Sequence, residues 1–242
     1  MSSEVYRQVG TPQPRGILAV CDHASNAVPD DIELGVPAAA LERHIAWDIG
    51  ASGVSERLAR RHGIAAHLAQ VSRLVVDLHR EEDNPAVVPV ESDGQLVPGN
   101  IGADVEGRLA RFHRPYHAAM GEWIAAHEPR LLLSIHSFTP QLETDASPRP
   151  WEIALLYNRD DRAARFAMHF LRDLGCTVGD NEPYSGKLLN ATMNRHAEAR
   201  GIPYCAIEIR NDLIADETGQ ARWAATIADV AGRVVLSLGA AA

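Results

Sequence analysis

The chain has 242 residues, 46% hydrophobic and 23% charged, with a formal net charge of −9. That length and apolar content suit one α/β domain covering residues 1–242. The acidic balance argues against broad nucleic-acid or anionic-membrane binding, yet it allows a small acidic ligand held by local cations.

Residues 1–16 are polar and hold no apolar signal core. No later stretch reads as a bilayer span, so a cytoplasmic protein is expected. Cys21, Cys176 and Cys205 are odd in number and form no C-x-x-C pair, so they read as reduced, buried thiols. The apolar run at residues 17–21 reads as a buried strand. Residues 51–61 read as a helix stopped near Gly63, and residues 64–69 and 74–78 as two more strands. Residues 83–100, rich in Pro, Gly and Asp, read as a long loop. Asp104 suits the N-cap of a helix running to His127, with Pro115 an awkward insertion.

The uninterrupted run at 131–135 is the pattern of a central parallel strand, and a second loop spans 139–150. A strand at 153–157, a helix at 162–174 stopped by Gly175, a helix at 191–200, a strand at 203–209 and a closing helix at 217–238 complete the chain. Strands alternating with helices predict a mostly parallel sheet with helices on both faces.

Ligands of open α/β sheets bind beyond the carboxyl ends of the strands. Four such ends carry chemistry here: Asp22 and His23 through Asn26, Asp77 through Arg80, His136 through Pro140, and Glu208 through Asn211. His23 and His136 are natural metal ligands, each aimed by an apolar strand. A catalytic zinc needs a third protein ligand and one open position. Asp48 is the first choice and Asn26 the alternative, a carboxylate being the better donor. Glu208 is the candidate general base, with a structural salt bridge to Arg210 as its rival role. Arg73, Arg80 and Arg210 are candidates to bind a substrate carboxylate with their planar forks, and Asp77 to orient Arg80 or His79. His113 and His117 lie four apart on one helical face and read as support for the site or as substrate contacts. Tyr184, Ser185, Asn211 and His196 flank the last strand and are candidates to line the pocket.

At these residues the chain resembles the N-formylglutamate amidohydrolase (deformylase) family, over roughly residues 17–214. The carriers are Asp22-His23-Ala24-Ser25-Asn26 with Pro29, His44-x-x-x-Asp48-Ile49-Gly50-Ala51, Ser72-Arg73-Leu74-Val75-Val76-Asp77-Leu78-His79-Arg80 and Pro115-Tyr116-His117. They continue with Ser134-Ile135-His136-Ser137-Phe138-Thr139-Pro140, Tyr184-Ser185-Gly186 and Glu208-Ile209-Arg210-Asn211-Asp212-Leu213. The resemblance implies a three-layer α/β/α sandwich with a mostly parallel mixed sheet, similar to zinc carboxypeptidases and aspartoacylases and so zinc-exopeptidase or phosphorylase/hydrolase-like. It implies a divalent metal, zinc, held by His23 and His136, with Glu208 as base and Arg73 and Arg80 as substrate binders. The implied reaction is hydrolysis of N-formyl-L-glutamate to formate and L-glutamate, late in histidine degradation. Two positions depart from the family: the H-x-x-E metal motif is here His23-x-x-Asn26, and His79 stands where many members have Asn. The alternatives are hydrolysis of another N-acyl amino acid or small peptide, and a non-catalytic protein that binds a metal or small acid.

Overall fold

Apolar runs form β2 (Ile17–Cys21) and β7 (Ile153–Leu156) and most of β3 (Ala66–Ala69), β6 (Leu131–Phe138) and β9 (Tyr204–Arg210), and more polar segments form β1 (Tyr6–Val9), β4 (Glu91–Ser92), β5 (Gln95–Leu96) and β8 (Val178–Asp180). The computed structural model describes residues 5–240, so the first four residues of the polar start lie outside the described residues. Seven strands make one sheet in the order β1-β3-β2-β6-β9-β7-β8, and β4 and β5 make a separate hairpin. β2, β3, β6 and β9 pair in parallel, whereas β1 and β7 run antiparallel to their neighbours β3 and β9. The expected mostly parallel, mixed α/β sheet is what forms. Its central strands are buried on both faces, which accounts for their largely apolar sequence.

The helices are α1 (Ala38–Leu41), α2 (Ala51–His62), α3 (Val105–Arg108), α4 (Arg114–His127), α5 (Arg162–Asp173), α6 (Ala191–His196) and α7 (Glu217–Ala240). Alternation along the strands sorts them between the two faces. Cys21 meets Ser55 of α2 on one face. The neighbouring positions Val20 and His67, paired in register, face the other way, where His67 packs against Tyr116 and Trp123 of α4. Parallel register carries that second face across the sheet through Ser134, His136 and Glu208.

Several expectations need correction. Residues 74–78 are buried but form turns, not a strand. Among the described residues no strand pairs with this segment, and side chains supply partners for its carbonyls: Asn100 Nδ2 donates to Leu74 O and Arg108 to Val75 O. The edge strands β1 and β8 and the hairpin β4–β5 were not foreseen, being short and half-exposed. The helix expected from Asp104 to His127 is interrupted by a wide π turn at Leu109–His113, which brings Pro115 into the first turn of α4, where a missing N–H is tolerated. Among the described residues α7 is, by length and composition, apolar enough to cross a bilayer, contrary to expectation. Its stripe of Trp223, Ala224, Ile227, Val230, Ala231 and Val234 is instead buried, and the helix packs on α2 and α5. Cys21, Cys176 and Cys205 are free thiols, the first and last buried.

Candidate active site

The polar residues collect at the carboxyl edge of β2, β6 and β9. His23 stands two residues past β2, while His136 lies inside β6, which runs on past the expected residue 135, and Glu208 lies near the carboxyl end of β9, paired with His136 in register. Asp48 reaches them from the segment before α2. That segment is tethered by Asp48 N donating to His23 O, by Ser72 Oγ and Arg73 N donating to Ala46 O, and by Ser137 Oγ donating to Ile49 O. Gly50 then turns the chain with φ +83°, and a Cβ there would lie 2.2 Å from Ile214 O.

His23, Asp48 and His136 each offer a donor atom, and all three atoms lie within 4.8 Å of one another. Asp48 stands 2.8 Å from His136 Nδ1 and 3.4 Å from His23 Nδ1. Asp77 takes the opposite nitrogen of His23, Nε2, at 2.7 Å. On the far side of His136, Nε2 lies 3.1 Å from Ser134 Oγ and 3.5 Å from Asp22 Oδ2. Two buried atoms in this group have no hydrogen-bond partner: His23 Nδ1 and Glu208 Oε2. A buried imidazole nitrogen left unpaired beside a carboxylate and a second imidazole suits a borderline cation such as zinc. Asp48 fulfils the geometric requirement for a third ligand, and it does not cap α2 with its side chain. Asn26 does not reach the group, because its Nδ2 donates to Leu41 O and Glu42.

A second trio, Asp22, His79 and His136, is equally close. Its carboxylate is already satisfied: Tyr116 Oη donates to Asp22 Oδ1 at 2.8 Å, and His79 Nδ1 lies 2.9 Å from Oδ2. This network supports the first trio from behind.

Burial opposes charge on every member, and the pairings decide the outcome. Burial and Arg73 act against a charge on His23, but Asp77 and Asp48 outweigh them and raise its pKa. His136 rises well above the ordinary histidine value because Asp22 and Asp48 outweigh its burial. Asp77 is held well below the usual carboxylate range, the Arg73 and His23 charges overcoming its burial. Glu208 goes the other way. Burial, with Asp48 adding to it, pushes its carboxyl up to about 7 against the pull of His136, His23 and Arg73. The rival role for Glu208 is absent, since the Arg210 guanidinium pairs with Asp212 at 2.8 Å and Glu208 Oε2 stays unpaired.

These groups line a cavity of about 250 Å³. Arg73, Arg80 and Tyr184 are in its wall, with His23, Asp48, His136 and Glu208. Arg73 donates to Asp77 at 2.8 Å and approaches Asp48 at 3.4 Å. The other expected substrate contacts are elsewhere. Arg210 and Asn211 turn away into the segment after β9, and Ser185 Oγ accepts from Lys187 N. His117 is buried behind the site, with Nε2 2.9 Å from Leu78 O and Nδ1 2.9 Å from His196 Nε2.

His79, His44, Asp93 and Thr144 line the cavity without having been singled out as substrate contacts. Asp93 closes the roof. Its carboxylate accepts from Glu143 N, Thr144 N and Thr144 Oγ1 and lies 3.0 Å from His44 Nε2. It thereby ties the β4–β5 turn to the loop after β6. The Asp-Gly pair at 93–94 signals a tight turn in the sequence, but nothing in the sequence tells where that turn folds.

The profile of the N-formylglutamate amidohydrolase family matches residues 15–215. Among solved structures, a gene product from Agrobacterium tumefaciens is similar over 98% of this chain and 97% of its own, at 31% identity and a TM-score of 0.92. N-formylglutamate amidohydrolase from Ralstonia eutropha is similar over 99% of this chain and 100% of its own, at 19% identity and a TM-score of 0.73, a likeness of fold. No curated protein matches the sequence.

Proposed function

The chain belongs to the N-formylglutamate amidohydrolase family, and from that premise we propose that it is a metal-dependent amidohydrolase acting on a small N-acyl amino acid. N-formyl-L-glutamate, whose hydrolysis gives formate and L-glutamate, is the reference substrate that the family suggests. The observation that carries this reading is the meeting of Glu208, a buried carboxyl with its pKa near 7, with the His23–Asp48–His136 trio at one cavity wall.

His23, Asp48 and His136 would hold the ion, and zinc suits two imidazoles and a carboxylate. Bound there, a divalent ion supplies Lewis-acid polarisation of the amide carbonyl and lowers the pKa of water. Glu208 moves the proton. With its pKa near operating pH, it can take a proton from the attacking water and return it to the departing nitrogen. The water oxygen joins the acyl carbon, the C–N bond breaks, and the products are an acid and a free amine. Arg73 and Arg80 bind the amino acid's carboxylate from the cavity wall. Asp77 fixes His23 through Nε2, and Asp22 and Ser134 steady His136.

The test is amine release from N-formyl amino acids by the zinc-loaded and the chelator-treated protein. Release that depends on added zinc is expected. A zinc-loaded, folded protein that releases amine from none of them would end this reading.

A further inference from the structure

The cavity is laid out along the sheet. The turn after β3 contributes Arg73 and Arg80 at one end, β2, β6 and β9 contribute His23, His136 and Glu208 in the middle, and β7 with the loops beyond it forms the other end. Four apolar side chains line the cavity beside these groups. Leu156 shares the Glu208 face of the sheet, because Ala154 is in register with Glu208 and Leu156 lies two residues along the same strand. Phe138 is on the same face of β6, two residues beyond His136, and Leu142 and Leu189 from two loops add to the apolar lining.

A dianionic ligand needs a second cation beside these apolar groups, and the nearby cations do not line the cavity or are neutralised there: Lys187, on the loop between Tyr184 and Leu189, is exposed and outside the wall. Arg210 pairs with Asp212. Arg149 donates to Tyr184 Oη and Thr139 O and is not in the wall. His44 leans on Asp93, and its burial lowers its pKa. The two arginines that do line the cavity both lean on Asp77, Arg73 at 2.8 Å and Arg80 at 3.9 Å, so they form one cationic corner. The roof adds a negative charge, because bonds from Thr144 and Glu143 overcome partial burial and hold Asp93 at about 2. A second carboxylate would therefore meet leucines and an aspartate in place of a guanidinium, an unfavourable exchange for an ion leaving water.

We infer that the substrate is an N-acyl amino acid with one carboxylate, seated on Arg73 and Arg80, and one apolar group, seated on Phe138, Leu142, Leu156 and Leu189, and not the dianionic N-formylglutamate. The inference rests on the amidohydrolase reading for the scissile bond but not for the two subsites. The apolar group is either the amino acid side chain or the acyl chain.

The experiment compares N-formyl-L-leucine, N-hexanoylglycine and N-formyl-L-glutamate on the zinc-loaded full chain. Hydrolysis rates are one readout, and calorimetric binding of the same three compounds to the Glu208→Gln protein is another that needs no turnover. At least one apolar compound is expected to exceed N-formyl-L-glutamate by about tenfold or more in kcat/KM and in affinity. N-formyl-L-leucine leading assigns the wall to the side chain, and N-hexanoylglycine leading assigns it to the acyl group. Leu189→Arg, a half-exposed loop position, should narrow the gap by about tenfold by adding the absent cation. N-formyl-L-glutamate equal or superior in binding, or no binding of either apolar compound, overturns the inference while the amidohydrolase reading stands. Apolar preference in binding without turnover of any compound leaves the subsites in place and removes the hydrolase.

Discussion

Asp77 holds His23 by a 2.7 Å bond to Nε2, leaving Nδ1 of the same ring buried and unpaired towards Asp48. A carboxylate on one nitrogen orients the imidazole and increases the basicity of the other, the arrangement found behind metal-bound histidines. Asp77→Asn keeps the shape and removes the charge. It is expected to weaken zinc binding by about 10- to 100-fold, measured by competition with a chromophoric chelator. Unchanged zinc affinity would mean that His23 is not a ligand.

Glu208 lies beside His136 in register, and its carboxyl is pushed up to about 7, chiefly by burial. A base is active when deprotonated, so kcat/KM should fall on the acid side as this carboxyl takes up its proton. Glu208→Gln should lose about a hundredfold or more in turnover and the acid limb of the profile with it, while binding zinc normally. Near-normal turnover in that variant would remove Glu208 from the chemistry.

Much of this site was legible in the sequence because rigid strands placed it. His23, His136 and Glu208 each border or end an apolar run, and parallel strands bring such ends to one edge. Asp48 was readable as the preferred third donor, but the contacts that place it were not, since they are long-range bonds to His23 O and from Ser72 to Ala46 O. Residues 74–78 misled because a buried β-branched run has the same composition whether a strand or the side chains of Asn100 and Arg108 satisfy its backbone. Asp93 and Thr144 were out of reach for another reason, because loop docking leaves no periodicity to read.

His117 sits outside the cavity yet bears on it. Its Nε2 donates to Leu78 O, and His113 Nε2 lies 2.9 Å from Arg80 O, so two imidazoles fix the carbonyls on either side of His79. With Nε2–H given to Leu78, His117 Nδ1 accepts from His196 Nε2 at 2.9 Å. His117→Ala would leave both of those groups buried without partners, each costing roughly 1–3 kcal/mol. A lower unfolding midpoint is expected together with a raised KM, because Leu78 O, on the turn that carries Arg80, loses its anchor. His117→Gln, able to donate to Leu78 O, should restore KM more fully than stability. A KM unaffected by the Ala variant would confine His117 to a role in folding.

His67 contributes to the acid sensitivity of the fold. It is fully buried on β3 between Tyr6, Tyr116 and Trp123, and its Nδ1 lies 3.3 Å from Gln8 Nε2. Burial drives its pKa down to about 3. The unfolded chain binds a proton at this residue near pH 6.5, whereas the folded protein refuses it until about 3. Between those values the unfolded state holds more protons, so stability falls as pH falls, by at most about 1.4 kcal/mol per pH unit from this group. From pH 7.5 to pH 5 only the lower unit and a half of that range counts, and the loss amounts to about 2 kcal/mol. His67→Phe keeps a ring among the aromatics and cannot titrate. Urea unfolding at the two pH values should show the natural protein losing about 2 kcal/mol more than the variant. Equal losses would mean that His67 takes up its proton in the folded protein as readily as in the unfolded one.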